Sequence, residues 1–378
     1  MAPAVIDAMS AALTTIYGNP SSVHGYGQDA KSALDHARST VARLLGAATT
    51  EVLFTSGGSE SINLAIRGTA AALSGSNRKH LVASSIEHEA VHQTLVALSK
   101  QGWTTTLIGV GDSGIIEPDR LASALTDDTA FVSIMHANNE IGTIQPIEKL
   151  AALAHSRGAV FHTDAVQSVG KIPVDVKALD VDLLSLSGHK FNGPKGVGAL
   201  WIKRGNRLQS QIAGGKQERN RRAGTENVPA IIGLGAAAQL ALDNGTASAI
   251  ATASLRDRLE TGILNGVSGT MRNGDPTRRV GNTSSISFTG VEAESLLIAL
   301  DLEGVAVSTG SACSSGSLSP SHVLRAMGFS THRTQNSIRF SLGLGSTAGE
   351  IDRVVAILPG IIARLRALRE PARARTRS

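Results

Sequence analysis

The chain has 378 residues, enough for one large domain or two, and its hydrophobic content of 42% is typical of a globular protein with a sizeable core. Its one cysteine excludes an internal disulfide and any metal site built from several cysteines, which suits a reducing cytoplasm. The net charge of +5 comes from the last 15 residues, with six arginines and one glutamate, so the folded body is balanced and is not expected to bind nucleic acid.

Membrane insertion and secretion are not expected from the sequence. The N-terminus "MAPAVIDAMSAAL" lacks a basic region and carries an aspartate, unlike a secretory signal. The longest mostly apolar run, "VPAIIGLGAAAQLAL", is too short to span a bilayer. We therefore expect a cytoplasmic protein.

Short β-branched runs alternate with helical stretches through the first two-thirds of the chain, which predicts an α/β layer with a largely parallel sheet. The seven candidate strands are 51–56, 79–84, 104–110, 129–136, 158–165, 181–187 and 198–203. The last two are joined only by "GHKFNGPKGV", which is too short for a crossover helix and predicts an antiparallel pair.

Beyond about residue 245 the strands become fewer and are interspersed with helices, as in a smaller α+β domain. The predicted organisation is a large domain over 1–245, a small C-terminal domain over 246–365, and a disordered basic tail over 366–378.

Polar residues follow the predicted strands, where ligands collect in open α/β sheets. The first strand leads into Gly57-Gly58-Ser59-Glu60, which opens a helix and predicts an anion cradle; a glycine turn alone is weak support for phosphate binding. Later strands lead to His88, to Asn138-Asn139-Glu140, and to Asp164.

Lys190 follows a fully apolar strand and is flanked by glycines and His189. A lysine in that place either extends its amine to water or serves as a Schiff-base amine. Together with Asp164, which could hold a protonated pyridine nitrogen, and with the phosphate cradle, Lys190 indicates pyridoxal 5′-phosphate (PLP).

From about residue 3 to residue 365 the chain resembles a cysteine desulfurase of the NifS/IscS type, in the class-V aminotransferase group of fold-type I PLP enzymes. The matching motifs include "GNPSSVHGYG", "FTSGGSESINLAI", "EHEAV", "VSIMHANNEIGTIQPI", "HTDAVQSVGK", "SGHKFNGPKGVGAL", "AGTENV", "STGSACSSG" and "SIRFSLG". The resemblance implies the aspartate aminotransferase-like fold, with a seven-stranded, mostly parallel sheet and a smaller C-terminal domain.

The resemblance also implies a role for each matching residue. Lys190 binds the cofactor aldehyde, Asp164 the pyridine nitrogen and Gln167 the phenolic oxygen. The phosphate ligands are Gly58, Ser59, Ser187 and His189, with Thr225 reaching in from the partner subunit of a homodimer. His88 stacks on the ring and moves protons, and Asn139 and Arg339 bind the substrate carboxylate. Arg339 could instead be an ordinary strand-surface residue.

Cys313 lies in "STGSACSSGSLSPS", which is rich in serine and lacks large side chains. A lone cysteine is usually a buried structural residue, but this polar context indicates an exposed mobile loop. The resemblance implies that Cys313 takes sulfur from L-cysteine as a persulfide, leaving L-alanine, and passes it to acceptor proteins of iron–sulfur cluster assembly, tRNA thiolation or DNA phosphorothioation.

Two motifs point elsewhere. His88-Glu89-Ala90-Val91-His92 is a formal H-E-x-x-H, but His88 comes too soon after a strand to sit mid-helix and no third zinc ligand follows, so we predict no metal site. The G-x-G-x-x-G over 109–114 is separated from the next helix by a turn and Pro118, so it reads as a loop.

The chain begins near the end of a first strand and loop that family members usually have, which normally line the substrate pocket. Either the start is misassigned, the chain is truncated, or the pocket is incomplete and activity is compromised. Two alternatives to cysteine desulfurase therefore stay open: a related PLP lyase or aminotransferase, and a non-catalytic scaffold for sulfur-trafficking partners.

Overall fold

The computed structural model describes residues 1–310 and 320–375, with side chains through Leu368. The chain forms two compact units. Unit 1 comprises 1–108, 116–137 and 145–246, and unit 2 comprises 109–115, 138–144 and the chain from residue 247 onward. The domain division predicted at residue 245 stays a prediction, and the structure adds that two short segments from the first part of the chain group with unit 2.

Unit 1 contains a seven-stranded sheet in the order β1-β7-β6-β5-β4-β2-β3. Its strands are β1 (Val52–Thr55), β2 (His80–Ser84), β3 (Thr104–Ile108), β4 (Thr129–Ser133), β5 (Val160–Asp164), β6 (Leu183–Ser187) and β7 (Gly198–Ile202). Only β7 runs against its neighbours, pairing antiparallel with both β1 and β6. The predicted mostly parallel sheet and its antiparallel pair are confirmed.

The helices that begin in unit 1 are α1 (Pro3–Thr15), α2 (Gly25–Leu44), α3 (Gly58–Ala72), α4 (Glu89–Ser99), α5 (Pro118–Ala124), α6 (Ile147–Ser156), α7 (Gln217–Asn220) and α8 (Val228–Gly266). On α3, Ile62 and Ile66 recur at the spacing of one helical face and are fully buried in a cluster with Leu81 and Phe131 of the sheet. Each such side chain contributes about 1.5–3 kcal/mol through burial. The strand ends are thus held on a rigid layer.

Unit 2 contains an antiparallel sheet in the order β10-β11-β9-β8. Its strands are β8 (Thr270–Asn273), β9 (Thr283–Phe288), β10 (Ser308–Thr309) and β11 (Ser337–Ser341), and its further helices are α9 (Ala293–Leu302), α10 (His322–Ala326), α11 (Thr331–Gln335) and α12 (Ala348–Arg375). Strand β8 was missed by the sequence reading, because "TMRN" lacks a β-branched apolar run.

Helix α12 includes residues 366–375 and so corrects the expectation of disorder for that part of the C-terminal tail. It continues through Arg375, because the alanines, leucines and arginines of "ARLRALREPARAR" are mostly strong helix formers. Over the described part of the chain, no helix has both the length and the apolar character required to cross a membrane.

Candidate active site

In unit 1, a glycine on β7 lets the turn after β1 approach the end of β6. Gly198 pairs with Thr55 on one side and with Ser187 on the other. A Cβ added to Gly198 would lie 2.8 Å from the Cα of Gly57 and 2.5 Å from the carbonyl oxygen of Leu186. Only glycine therefore allows these backbones to come this close.

The turn between β1 and α3 has the shape of an anion cradle. Gly57 has φ 152° and ψ −174°, a conformation that is essentially restricted to glycine. A Cβ on Gly58 would lie 2.9 Å from Cγ2 of Val166 and 3.6 Å from Cβ of Ser187, so a larger residue would fill the cradle. Because α3 begins here, its free N–H groups and its dipole favour a bound phosphate. Ser59, in the first turn of α3, is exposed.

Asp164 is the last residue of β5 and is only 4% exposed. Its Oδ1 accepts a hydrogen bond from the N–H of Val166 at 2.9 Å. Burial raises the pKa of Asp164, and the Val166 N–H and the positive charges of His88 and Lys190 oppose that rise. A protonated ring nitrogen would stabilise the same carboxylate, so the residue fits a pyridine ring.

The last residue of β6 and the turn that follows it carry three of the predicted cofactor ligands. Ser187 is buried, and its Oγ lies 2.9 Å from Nδ1 of His189. His189 and Lys190 are exposed in a short 3-10 turn. Burial lowers the pKa of His189, and so do the positive charges of nearby lysines 171, 190 and 195. This concentration of positive charge suits an anionic cofactor.

His88 and Gln167 are also in unit 1. His88 caps the N-terminus of α4, and its Nδ1 accepts a hydrogen bond from the N–H of Ala90 at 3.0 Å. Gln167, expected to bind the phenolic oxygen, accepts a hydrogen bond through Oε1 from Nζ of Lys171 at 2.6 Å. The amide of Gln167 is thus held at a defined position three residues after Asp164.

The structure also shows where the H-E-x-x-H motif at 88–92 and the G-x-G-x-x-G motif at 109–114 lie. His88 precedes α4 instead of lying within it, so it cannot share a helical face with His92 in the way that H-E-x-x-H zinc sites require. Among the described residues, no group of three histidines, cysteines or acids could hold a metal ion. The glycines of 109–114 lie in a loop between β3 and α5.

Asn139 and Arg339, the predicted carboxylate ligands, meet within unit 2. Nη1 of Arg339 on β11 donates a hydrogen bond to the carbonyl oxygen of Asn139 at 3.0 Å. Both side chains are partly exposed. The main-chain contact orients the guanidinium, and the planar shape of a guanidinium suits a carboxylate.

For two of the predicted site residues, Thr225 and Cys313, a single chain does not show a place in the site. Thr225 is exposed in the segment just before α8, where the prediction requires a partner subunit. Cys313 lies outside the described residues. The assigned roles of all the site residues stay predictions.

Two buried acids, Glu87 and Glu140, lie beside predicted site residues but have no predicted role themselves. Glu87 precedes His88, and its Oε1 accepts hydrogen bonds at 2.8 Å from the Ser84 hydroxyl and the Met135 N–H. Glu140 follows Asn139 and is 3% exposed. In the sequence, the only sign of their importance is that they are next to His88 and Asn139. Their burial is informative because charged side chains are rarely fully buried without partners.

The chain is similar to known proteins over nearly its whole length. The class-V aminotransferase family matches residues 1–354. A cysteine desulfurase from Trichormus azollae is 48% identical over 97% of this chain and 91% of that protein. A cysteine desulfurase IscS from Methanosarcina thermophila is 48% identical over 96% of this chain and 89% of that protein. A solved NifS-like protein matches with a TM-score of 0.91 and 35% identity over 97% of each chain.

These similarities confirm the predicted fold and the resemblance found in the sequence motifs. They also confirm the predicted cofactor, because class-V aminotransferases are PLP enzymes. The chain belongs to the class-V aminotransferase family.

Proposed function

We propose that this protein is a cysteine desulfurase, which converts L-cysteine to L-alanine and keeps the sulfur as a persulfide on Cys313. The observation that carries the proposal is the convergence of a glycine cradle, Asp164 and Lys190 in unit 1 of a chain that is 48% identical to curated cysteine desulfurases. PLP is the cofactor that these three features fit.

The residues of unit 1 bind the cofactor. The N–H groups at Gly58 and Ser59, together with the side chains of Ser187 and His189, hold the phosphate. Asp164 keeps a proton on the ring nitrogen, since a buried carboxylate stabilises a cation beside it. Bound in this way, PLP supplies an electron sink for the substrate Cα.

The protein's own residues perform the remaining steps. Asn139 and Arg339 bind the substrate carboxylate. The amine of Lys190 takes the proton from Cα, and His88 moves protons beside the ring. The Cys313 thiolate attacks the sulfur of L-cysteine: an S–S bond forms, the substrate C–S bond breaks, and its electron pair stays with the substrate carbon. Protonation of that carbon and return of a proton from Lys190 to Cα give L-alanine, and the sulfur stays on Cys313 as a persulfide.

The proposal includes a homodimer, in which Thr225 binds the phosphate of the neighbouring subunit. Thr225 is exposed three residues before α8 begins, which supports this arrangement. The protein acts in the cytoplasm, where its thiol stays reduced. Its persulfide passes to an acceptor protein that serves iron–sulfur cluster assembly, tRNA thiolation or DNA phosphorothioation.

The test measures alanine and sulfide formed from L-cysteine in the presence of a thiol reductant. We expect equal amounts of the two products from the unaltered protein. Cys313→Ala should lose at least about 100-fold of both while keeping the absorbance near ~420 nm of lysine-bound PLP. Lys190→Ala should lose that absorbance as well.

The alternatives predict other outcomes. Sulfide release that survives Cys313→Ala identifies a lyase or aminotransferase that does not use the thiol. Loss of the ~420 nm absorbance on adding cysteine, without alanine, identifies a non-catalytic scaffold. A colourless protein with unmodified Lys190 in the presence of added PLP would overturn the proposal.

A further inference from the structure

Within unit 2, a short turn fixes the main chain of a buried glutamate. Oδ1 of Asn138 accepts hydrogen bonds from the N–H of Glu140 at 2.8 Å and from that of Ile141 at 3.1 Å. The N–H of Asn138 in turn donates to the carbonyl oxygen of Thr143 at 3.0 Å. Asn138 is fully buried, so the direction in which Glu140 leaves the backbone is well defined.

The carboxylate of Glu140 contacts the residue that begins α10. The Ser321 hydroxyl donates to Oε2 of Glu140 at 2.5 Å. The same hydroxyl oxygen accepts a hydrogen bond from the N–H of Leu324 at 3.1 Å, which caps the helix. Ser321 is 5% exposed, so Glu140 and the start of α10 form one buried, hydrogen-bonded group.

The same carboxylate also contacts Gly310, the last described residue before Cys313. A Cβ on Gly310 would overlap Oε2 of Glu140 and lie 3.2 Å from Cβ of Ser321. The backbone of Gly310 therefore packs directly against both side chains. Gly310 continues from β10, where Ser308 pairs with Arg339.

Glu140 is thus the point at which the two ends of the Cys313 segment meet. Burial raises the pKa of Glu140, while the Ser321 hydroxyl and the positive charges of His322 and Arg339 oppose the rise. A buried carboxyl group is unfavourable unless it is hydrogen-bonded, and the Ser321 hydroxyl supplies such a bond to Glu140.

We propose that Glu140 is a positioning residue for sulfur transfer: it holds Gly310 and Ser321 together and thereby sets the region that the Cys313 thiol can reach. This inference rests on the proposed function. Holding both ends of a chain segment at one point lowers the conformational entropy of that segment. A reactive group between two such ends therefore has a higher effective concentration at its target.

The main comparison is between Glu140→Ala and Glu140→Gln. Alanine removes the contacts to both ends, whereas glutamine keeps the size of the side chain and an oxygen that accepts from Ser321. We expect Glu140→Ala to lower kcat for alanine formation by about 10- to 100-fold with KM for L-cysteine within about threefold. Glu140→Gln should recover most of kcat, and both variants should keep the PLP absorbance.

A second readout needs no cofactor. Because Cys313 is the sole cysteine, the rate of alkylation by iodoacetamide in the cofactor-free protein reports that thiol alone. We expect Glu140→Ala to change this rate at least about threefold and Glu140→Gln to stay near the unaltered protein. Glu294→Ala, on an exposed position of α9, is the matched control and should change neither the rate nor kcat.

Gly310→Ala tests the packing of Gly310 against Glu140, and it replaces Glu140→Ala as the test if that variant does not fold. The added methyl group overlaps Glu140, so we expect it to alter the alkylation rate in the unaltered background and to add little in Glu140→Ala. Unchanged alkylation and kcat in Glu140→Ala, or independent effects of the two substitutions, would overturn the proposal. Failure of the proposed function would appear separately, as absence of alanine from the unaltered protein.

Discussion

Two buried glutamates, one in each unit, have opposite protonation preferences. Burial raises the pKa of Glu87, in unit 1, to about 8, and the donors on its Oε1 are a hydroxyl and a backbone N–H. Burial also pushes the pKa of Glu260, in unit 2, upward, but hydrogen bonds from Arg279, Ser284 and Arg272 outweigh it and lower the pKa to about 2.

The difference shows that burial alone does not decide the charge of a carboxyl group. Desolvation disfavours the ionised form at both places, and only the guanidinium groups around Glu260 reverse the preference. A neutral Glu87 also suits its place near Asp164, because an ionised Glu87 would raise the pKa of Asp164 and so weaken its hold on a protonated ring nitrogen. A neutral Glu87 therefore adds nothing to the rise in the pKa of Asp164 that burial causes.

The largest effect is expected at Glu260. Glu260→Gln removes the carboxylate that binds Arg279 at 2.6 Å and leaves this 9% exposed residue with a longer, more exposed ion pair to Asp257 at 3.6 Å. It should lower the free energy of unfolding by about 3–5 kcal/mol in urea denaturation at pH 7. Because the folded-state pKa lies below the unfolded-state value, this stabilisation is present above that value and is lost as the pH falls from about 4.5 through about 2. The difference in the free energy of unfolding between the unaltered protein and Glu260→Gln should therefore disappear as the pH falls through this range.

Glu218→Gln is the matched variant in unit 1. Glu218 is 6% exposed and binds Arg38 through two hydrogen bonds, at 2.7 and 2.8 Å. If Glu218→Gln lowers the free energy of unfolding by a similar amount, about 3 kcal/mol, the effect comes from the buried arginine–glutamate pair and does not depend on which unit contains it. A loss under about 1 kcal/mol at both positions would contradict the comparison.

A smaller, pH-dependent effect is expected at Glu87. Its folded-state pKa lies above the unfolded-state value, so the stability it contributes is full below about 4.5 and is lost as the pH rises through about 8. Glu87→Gln keeps a neutral side chain of the same size at every pH. It should match the unaltered protein near pH 5 and exceed it by more than about 1 kcal/mol at pH 9. Parallel stability curves across this range would show that Glu87 does not change its protonation.

The smallest effect is expected where a carboxylate has a cationic partner but is exposed. Lys31 and Asp35 form an ion pair at 3.0 Å on α2, with both side chains 52% exposed. Asp35→Asn should change the free energy of unfolding by less than about 0.5 kcal/mol in the same denaturation assay. A loss comparable to that of Glu260→Gln would mean that burial does not strengthen these pairs.

The sequence alone was sufficient for the sheet and for the parts of the site that lie at strand ends. β-branched runs predicted seven strands, and a ten-residue connection predicted the antiparallel β6–β7 pair, because chain length limits how a strand can return. Motifs then placed the glycine cradle, Asp164 and Lys190 at strand ends, since parallel strands bring residues that follow them to one edge. Strand β8 and the end of helix α12 are not predicted from the sequence, because neither segment has the apolar pattern of a strand or a helix. Packing in the sheet forms β8, and the helix propensity of the residues extends α12.

Only the tertiary structure decided which buried acids have partners. Glu87 meets Met135 across 48 residues, Glu218 meets Arg38 across 180, and Glu140 meets Ser321 across 181. Local patterns in a sequence report the period of a helix or strand but not which distant side chain will face a given carboxylate. The surroundings of these buried carboxyl groups therefore depend on long-range contacts, because desolvation and hydrogen bonding are set by the groups that the fold places within a few ångströms.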